Sequence, residues 1–101
     1  MKRIVLSADN FPSIYLVPDE VAVNLNHYVN RFHKWLFNPE NDHGYWMELP
    51  QGGKCVCYTE TAFIQWLDDH VLLSSGKAEL VEAKSNHILS EDEQKYPKYN
   101  F

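Results

Sequence analysis

The sequence predicts a single α+β domain over residues 1–101, with a mostly antiparallel sheet of about five strands and two main helices packed on one face. Three observations carry this expectation. Two short β-branched runs open the chain, a long apolar stripe at helical spacing follows, and a hairpin signal at "PQGG" precedes a second amphipathic stretch. The expected order is ββα-ββα-β with a short C-terminal turn and tail.

"RIVLS" (3–7) and "SIYLV" (13–17) read as strands joined by the turn-forming "ADNFPS". "PDEVAVNLNHYVNRFHKWLFN" (18–38) reads as one helix. Pro18, Asp19 and Glu20 suit its first turn, where a missing amide is harmless and negative charge meets the dipole. Val21, Leu25, Tyr28, Val29, Phe32, Trp35 and Leu36 form its apolar stripe, Asn24, His27, Asn30, Arg31 and Lys34 its polar face, and Asn38-Pro39 its stop. After the polar loop 38–44, stretches 45–49 and 54–58 flank "PQGG" as a hairpin. "TETAFIQWLDDHVLL" (59–73) gives the second helix, capped by Thr59 or Thr61, burying Phe63, Ile64, Leu67 and Val71, and ended by Gly76. "KAELVEA" (77–83) supplies a last strand with Ala78, Leu80 and Val81, and "SNH" (85–87) a loop. In "SEDEQKY" (90–96), Ser90 and Glu93 stand in capping-box positions.

The chain has 101 residues, 45% hydrophobic and 14% aromatic, enough to bury one core. Its net charge of −5 is spread through both halves, and no basic stripe is present to neutralise phosphates. Nucleic acid and anionic membrane surfaces are therefore not expected partners. No run approaches the ~18 apolar residues of a membrane span, and the apolar part of the opening is shorter than the ~7–15 residues of a signal-peptide core. A cytoplasmic location with reduced thiols is the expectation.

"GYWMELPQGGKCVCYTE" (44–60) places Cys55 and Cys57 one residue apart. In a strand they share a side at ~6.6 Å, too far for a disulfide, which needs β-carbons within ~4.5 Å. A structural zinc needs four ligands, and only His43 lies nearby in sequence. The hairpin register decides where the thiols point. A two-residue Gly52-Gly53 turn puts the cysteines on the face of Trp46 and Glu48. A three-residue Pro50-Gln51-Gly52 loop puts them with Tyr45, Met47 and Leu49. The three-residue loop, with inward-facing thiols, is preferred.

Other chemistry is sparse. Asp68, Asp69 and His70 are consecutive and diverge around a helix. Glu40, Asp42 and His43 lack the spacing of a calcium loop, no serine has a nucleophile-elbow context, and the only Gly-Gly sits in a hairpin. No catalytic residue, metal ligand or cofactor is expected. The richer signal is aromatic. Trp46, Tyr58 and Trp66 flank the buried stripes, and the tail "YPKYNF" adds Tyr96, Tyr99 and Phe101. These six are the candidate interaction residues, since Trp and Tyr are enriched among interface anchors.

The expected function is a small acidic domain that binds another protein, with a basic partner favoured by its charge, without catalysis, in the manner of an inhibitor, immunity protein or antitoxin-like adaptor. One alternative is a small metal- or thiol-dependent enzyme using Cys55 and Cys57 with His43. The other is a homo-oligomeric structural protein pairing through edge strands or aromatics.

Overall fold

A computed structural model describes residues 1–8, 11–73, 77–84 and 88–101. Of the turn expected at "ADNFPS" (8–13), Asp9 and Asn10 lie outside the described residues, as do the Gly76 helix terminator and the loop 85–87, whereas Ala8 belongs to the first strand and Phe11, Pro12 and Ser13 to the second. Strands β1 (Lys2–Ala8) and β2 (Phe11–Val17) form the N-terminal hairpin, followed by helices α1 (Asp19–Val23) and α2 (Leu25–Leu36). Strands β3 (Trp46–Glu48) and β4 (Lys54–Val56) form a second hairpin, leading to helix α3 (Glu60–His70). Strand β5 (Glu79–Ala83), a 3₁₀ turn (Glu93–Lys95) and strand β6 (Lys98–Asn100) complete the chain.

The α+β class and the mostly antiparallel main sheet are as expected, but the strand arrangement differs. The main sheet has four strands in the order β5-β2-β1-β6, and β3-β4 stand apart as a two-stranded sheet. The sixth strand comes from the aromatic tail: β6 runs parallel to β1, with Leu6 beside Tyr99. The Val5 amide donates to the Pro97 carbonyl at 2.9 Å, and the Phe101 amide to that of Ser7 at 2.7 Å. With β6 on one side of the β1-β2 pair and β5 on the other, neither side of that pair is open to β3-β4.

The expected first helix is two helices. Asn24, at φ −113° and ψ 34°, breaks the run, and its side-chain amide donates to the Glu20 carbonyl at 3.1 Å. Asparagine competes for helical carbonyls in this way and so tolerates breaks better than continuation. The apolar stripe continues across the break. Val21, Leu25, Tyr28, Val29, Phe32 and Leu36 are buried, while the predicted polar face is exposed.

Period-two alternation sends Ile4 and Leu6 from β1, and Tyr15 and Val17 from β2, toward the helices. There they join the α2 stripe and Ala62, Phe63, Trp66 and Leu67 of α3 in one core. On the opposite sheet face Val5 lies across from Ile14, each only 3% exposed. Leu89 comes over this face beside Val5 and Pro12.

Strand β5 is an edge strand, exposed throughout, and Val81 bulges where the register slips between Ile14 and Tyr15. Its exit is tied down by the turn at residues 90–95. The Ser90 amide donates to Glu93 Oε1 at 2.7 Å and the Glu93 amide to Ser90 Oγ at 3.3 Å, completing the capping box.

Candidate functional site

The β3-β4 hairpin has the register of the three-residue loop. Met47 is opposite Cys55 and Trp46 opposite Val56, and the Leu49 amide donates to the Gly53 carbonyl at 3.0 Å. Gly52 supplies the positive φ of 94° that ends such a loop. The expectation of inward-facing thiols is overturned, because Cys55 and Cys57 are both exposed. Register sorts residues into two faces but does not say which face meets the core. Here the core side belongs to Val56 and Tyr58, the larger apolar pair.

His43 is committed to the backbone. Its Nδ1 accepts the Tyr45 amide at 3.1 Å, which fixes the proton on Nε2, and Nε2 lies 2.8 Å from the Leu36 carbonyl it donates to. The ring stacks on Trp46 at 5.3 Å and 15°, and the Trp46 indole donates to the Asn41 carbonyl at 2.8 Å. His43 thus closes the loop between α2 and β3 and offers no free nitrogen to the cysteines. Among the described residues, no three His, Cys, Asp or Glu side chains converge as metal ligands.

The acidic groups of α3 are similarly engaged. Asp68 Oδ1 accepts the Ala78 amide at 3.0 Å, holding the approach to β5, and Asp69 accepts from Gln65 at 2.9 Å. The His70 ring lies against Trp35 at 5.3 Å.

The aromatic candidates divide. Trp66 is in the core at 5% exposure, against Phe32 and Phe63, so its surface is already covered. Trp46 is bound to His43. Tyr96 is half-buried at a separate corner beside Lys2, Arg3 and Lys95. Tyr58, Tyr99 and Phe101 come together, and with them come His33 and Phe37.

These five rings form a closed circuit. Centroids are 5.9 Å apart for His33–Phe37, 6.5 Å for Phe37–Tyr58, 6.3 Å for Tyr58–Phe101, 4.8 Å for Phe101–Tyr99 and 6.0 Å for Tyr99–His33. Three parts of the chain supply them: the end of α2, the segment leaving β4, and β6 with the residue after it. Phe32 supports the circuit from below, at 5.9 Å from Tyr58 and 6.0 Å from Phe101. Phe37 is 54% exposed and the other four members are half-buried.

The patch is electrically quiet. Burial lowers the His33 pKa, so its imidazole is neutral at pH 7. Burial and then the Tyr99 hydroxyl raise that of Tyr58. His33 and Phe37 were not among the sequence candidates. The available signal was that Phe37 is an aromatic just past the apolar stripe, immediately before Asn38-Pro39, where a helix end cannot bury it. No helix among the described residues is long and apolar enough to cross a membrane. Comparison with protein-family models, curated proteins and solved structures gave no match.

Proposed function

We propose that this domain acts by binding another protein through the His33–Phe37–Tyr58–Tyr99–Phe101 patch, without catalysing a reaction. The observation that carries this reading is the closed aromatic circuit, uncharged at neutral pH, with Phe37 standing half out of it. Exposed apolar patches of contiguous side chains mark interaction sites, and aromatic rings supply large contact area at little entropic cost. The net charge of −5 favours a basic partner by long-range attraction, which speeds encounter at low salt. An inhibitor, immunity protein or antitoxin-like adaptor in the cytoplasm fits this description.

The test is comparative capture from lysate of the source cell, with immobilised wild type, Phe37→Ser and Val81→Ser. A partner held by wild type and Val81→Ser, lost from Phe37→Ser and weakened by added salt supports the reading. Equal capture by Phe37→Ser overturns it. Light scattering on the same proteins reports whether the partner is a second copy of the chain.

A further inference from the structure

The outward side of the β3-β4 hairpin carries three sulfur atoms that protein binding leaves unused. The Cys57 amide donates to the Tyr45 carbonyl at 2.9 Å, and Leu49 pairs with Gly53 at the other end. Ladder alternation therefore makes Met47 and Cys55 a hydrogen-bonded pair, with Cα atoms ~5.5 Å apart and β-carbons ~4.5–5.5 Å apart. Cys57 follows just past the end of β4, and its ladder bond to Tyr45 continues the extended spacing that puts it on the same side, ~6.6 Å from Cys55. Both cysteines are exposed and free, and Met47 is 51% exposed. Two thiols and a thioether thus face solvent from one small triangle of backbone.

We propose that Cys55, Cys57 and Met47 form a binding site for a soft, thiophilic metal ion, with Cu(I) the best fit. The spacing that forbids a disulfide suits a bridging ion. A disulfide requires β-carbons ~3.8 Å apart, whereas two metal–sulfur bonds of ~2.3 Å span up to ~4.6 Å between sulfurs. Two side chains ~6.6 Å apart reach that separation by leaning toward each other, with no change in the strand. Thiolate and thioether donors select Cu(I), while magnesium and calcium require oxygen ligands. Zinc would need a fourth donor, and the imidazole nearest in sequence, His43, has both nitrogens bonded to the backbone.

Binding is an exchange of ligands without electron transfer. Two S–H bonds are replaced by two S–Cu bonds, two protons go to solvent, and the thioether sulfur donates a lone pair. The metal stays Cu(I) and the sulfurs stay reduced. Affinity consequently tightens as pH rises.

The experiment is an anaerobic titration of the reduced protein with Cu(I) buffered by a competing chelator. It is read by the near-ultraviolet thiolate-to-metal absorption and by metal content after gel filtration. Wild type is expected to bind about one Cu(I) per chain, with proton release and the absorption band. The Cys55→Ser/Cys57→Ser double variant should lose the band. Met47→Leu should weaken binding by at least the ~tenfold that even outer-layer partners of a metal site cost. Unchanged affinity in either variant, or equal affinity in the urea-unfolded wild type, overturns the site. All substitutions are at exposed positions and preserve the fold, which circular dichroism checks.

Discussion

The Glu93 carboxylate lies 2.9 Å from the Lys84 ammonium, and the same carboxylate accepts the Ser90 amide at 2.7 Å. One side chain therefore joins the exit of β5 to the turn that leads into β6. The Ser90 amide and then Lys84 lower the Glu93 pKa, while Glu93 and Glu82 raise that of Lys84. The two shifts bound stability from opposite sides. A lowered carboxylate contributes fully above its unfolded value near 4.5 and loses that contribution as pH falls through the folded value. A raised amine contributes fully below its unfolded value of 10.5 and loses it as pH rises through the folded one. Urea midpoints measured against pH should decline at both ends, and Glu93→Gln should flatten the acid limb. An acid limb identical in Glu93→Gln would rule out this contribution.

The alkaline side has a second source. Burial raises the pKa of Tyr15, Tyr28 and Tyr58, aided in Tyr28 by the bond its hydroxyl donates to Glu20 at 3.1 Å. A raised phenol binds its proton more tightly folded than unfolded, so stability falls as pH rises past the unfolded value of 10.0. Ultraviolet titration should show these three tyrosines ionising late, above pH 10.0. Tyr58→Phe should reduce the late group by one without disturbing Tyr15 or Tyr28.

Local chemistry was legible in the sequence and long-range assembly was not. The α2 stripe and the Ser90–Glu93 box were readable because each is complete within a few residues. The hairpin register was readable from Pro50 and Gly52, since turn geometry sets it. Strand β6 was not, because its partners lie at the other end of the chain: Ser7 Oγ donates to Asn100 Oδ1 across 93 positions. The patch shares this difficulty. Tyr58, Tyr99 and Phe101 could be named as candidate interaction residues, but His33 and Phe37 join them only once β6 docks beside β1. The outward turn of the thiols was hidden for a third reason, since two-sided alternation leaves the choice of buried face to the rest of the fold.

His43 holds the α2–β3 loop through two backbone bonds at 2.8 and 3.1 Å. Removing the ring leaves the Leu36 carbonyl and the Tyr45 amide without that partner and uncovers one face of Trp46. His43→Ala should lower stability by about 1 kcal/mol, the low end for lost bonds at partly exposed groups. Trp46 emission should move to longer wavelength at the same time. An unchanged spectrum with Trp35 and Trp66 replaced by Phe, so that Trp46 is the remaining fluorophore, would contradict the stacking role.

Phe32 is fully buried and touches both the deep core and the surface circuit. It is 5.5 Å from Phe63 and 5.8 Å from Trp66 below, and 5.9 Å from Tyr58 and 6.0 Å from Phe101 above. Phe32→Ala should cost about 3–5 kcal/mol, against a total of about 5–15 kcal/mol for a domain of this size. Phe32→Leu keeps most of the volume and should cost about 1 kcal/mol, leaving a folded protein to examine. Its effect should then be asymmetric. The Val5 and Ile14 side of the sheet is remote from the lost ring, whereas Phe101 rests on it. Hydrogen exchange in Phe32→Leu should therefore quicken at the Phe101 amide, which is bonded to Ser7, and remain unchanged at the Lys84 amide, which is bonded to Pro12 on the β5 side of the sheet. Uniform acceleration at both amides would show that the circuit and the core are one cooperative unit, with no separately loosened patch.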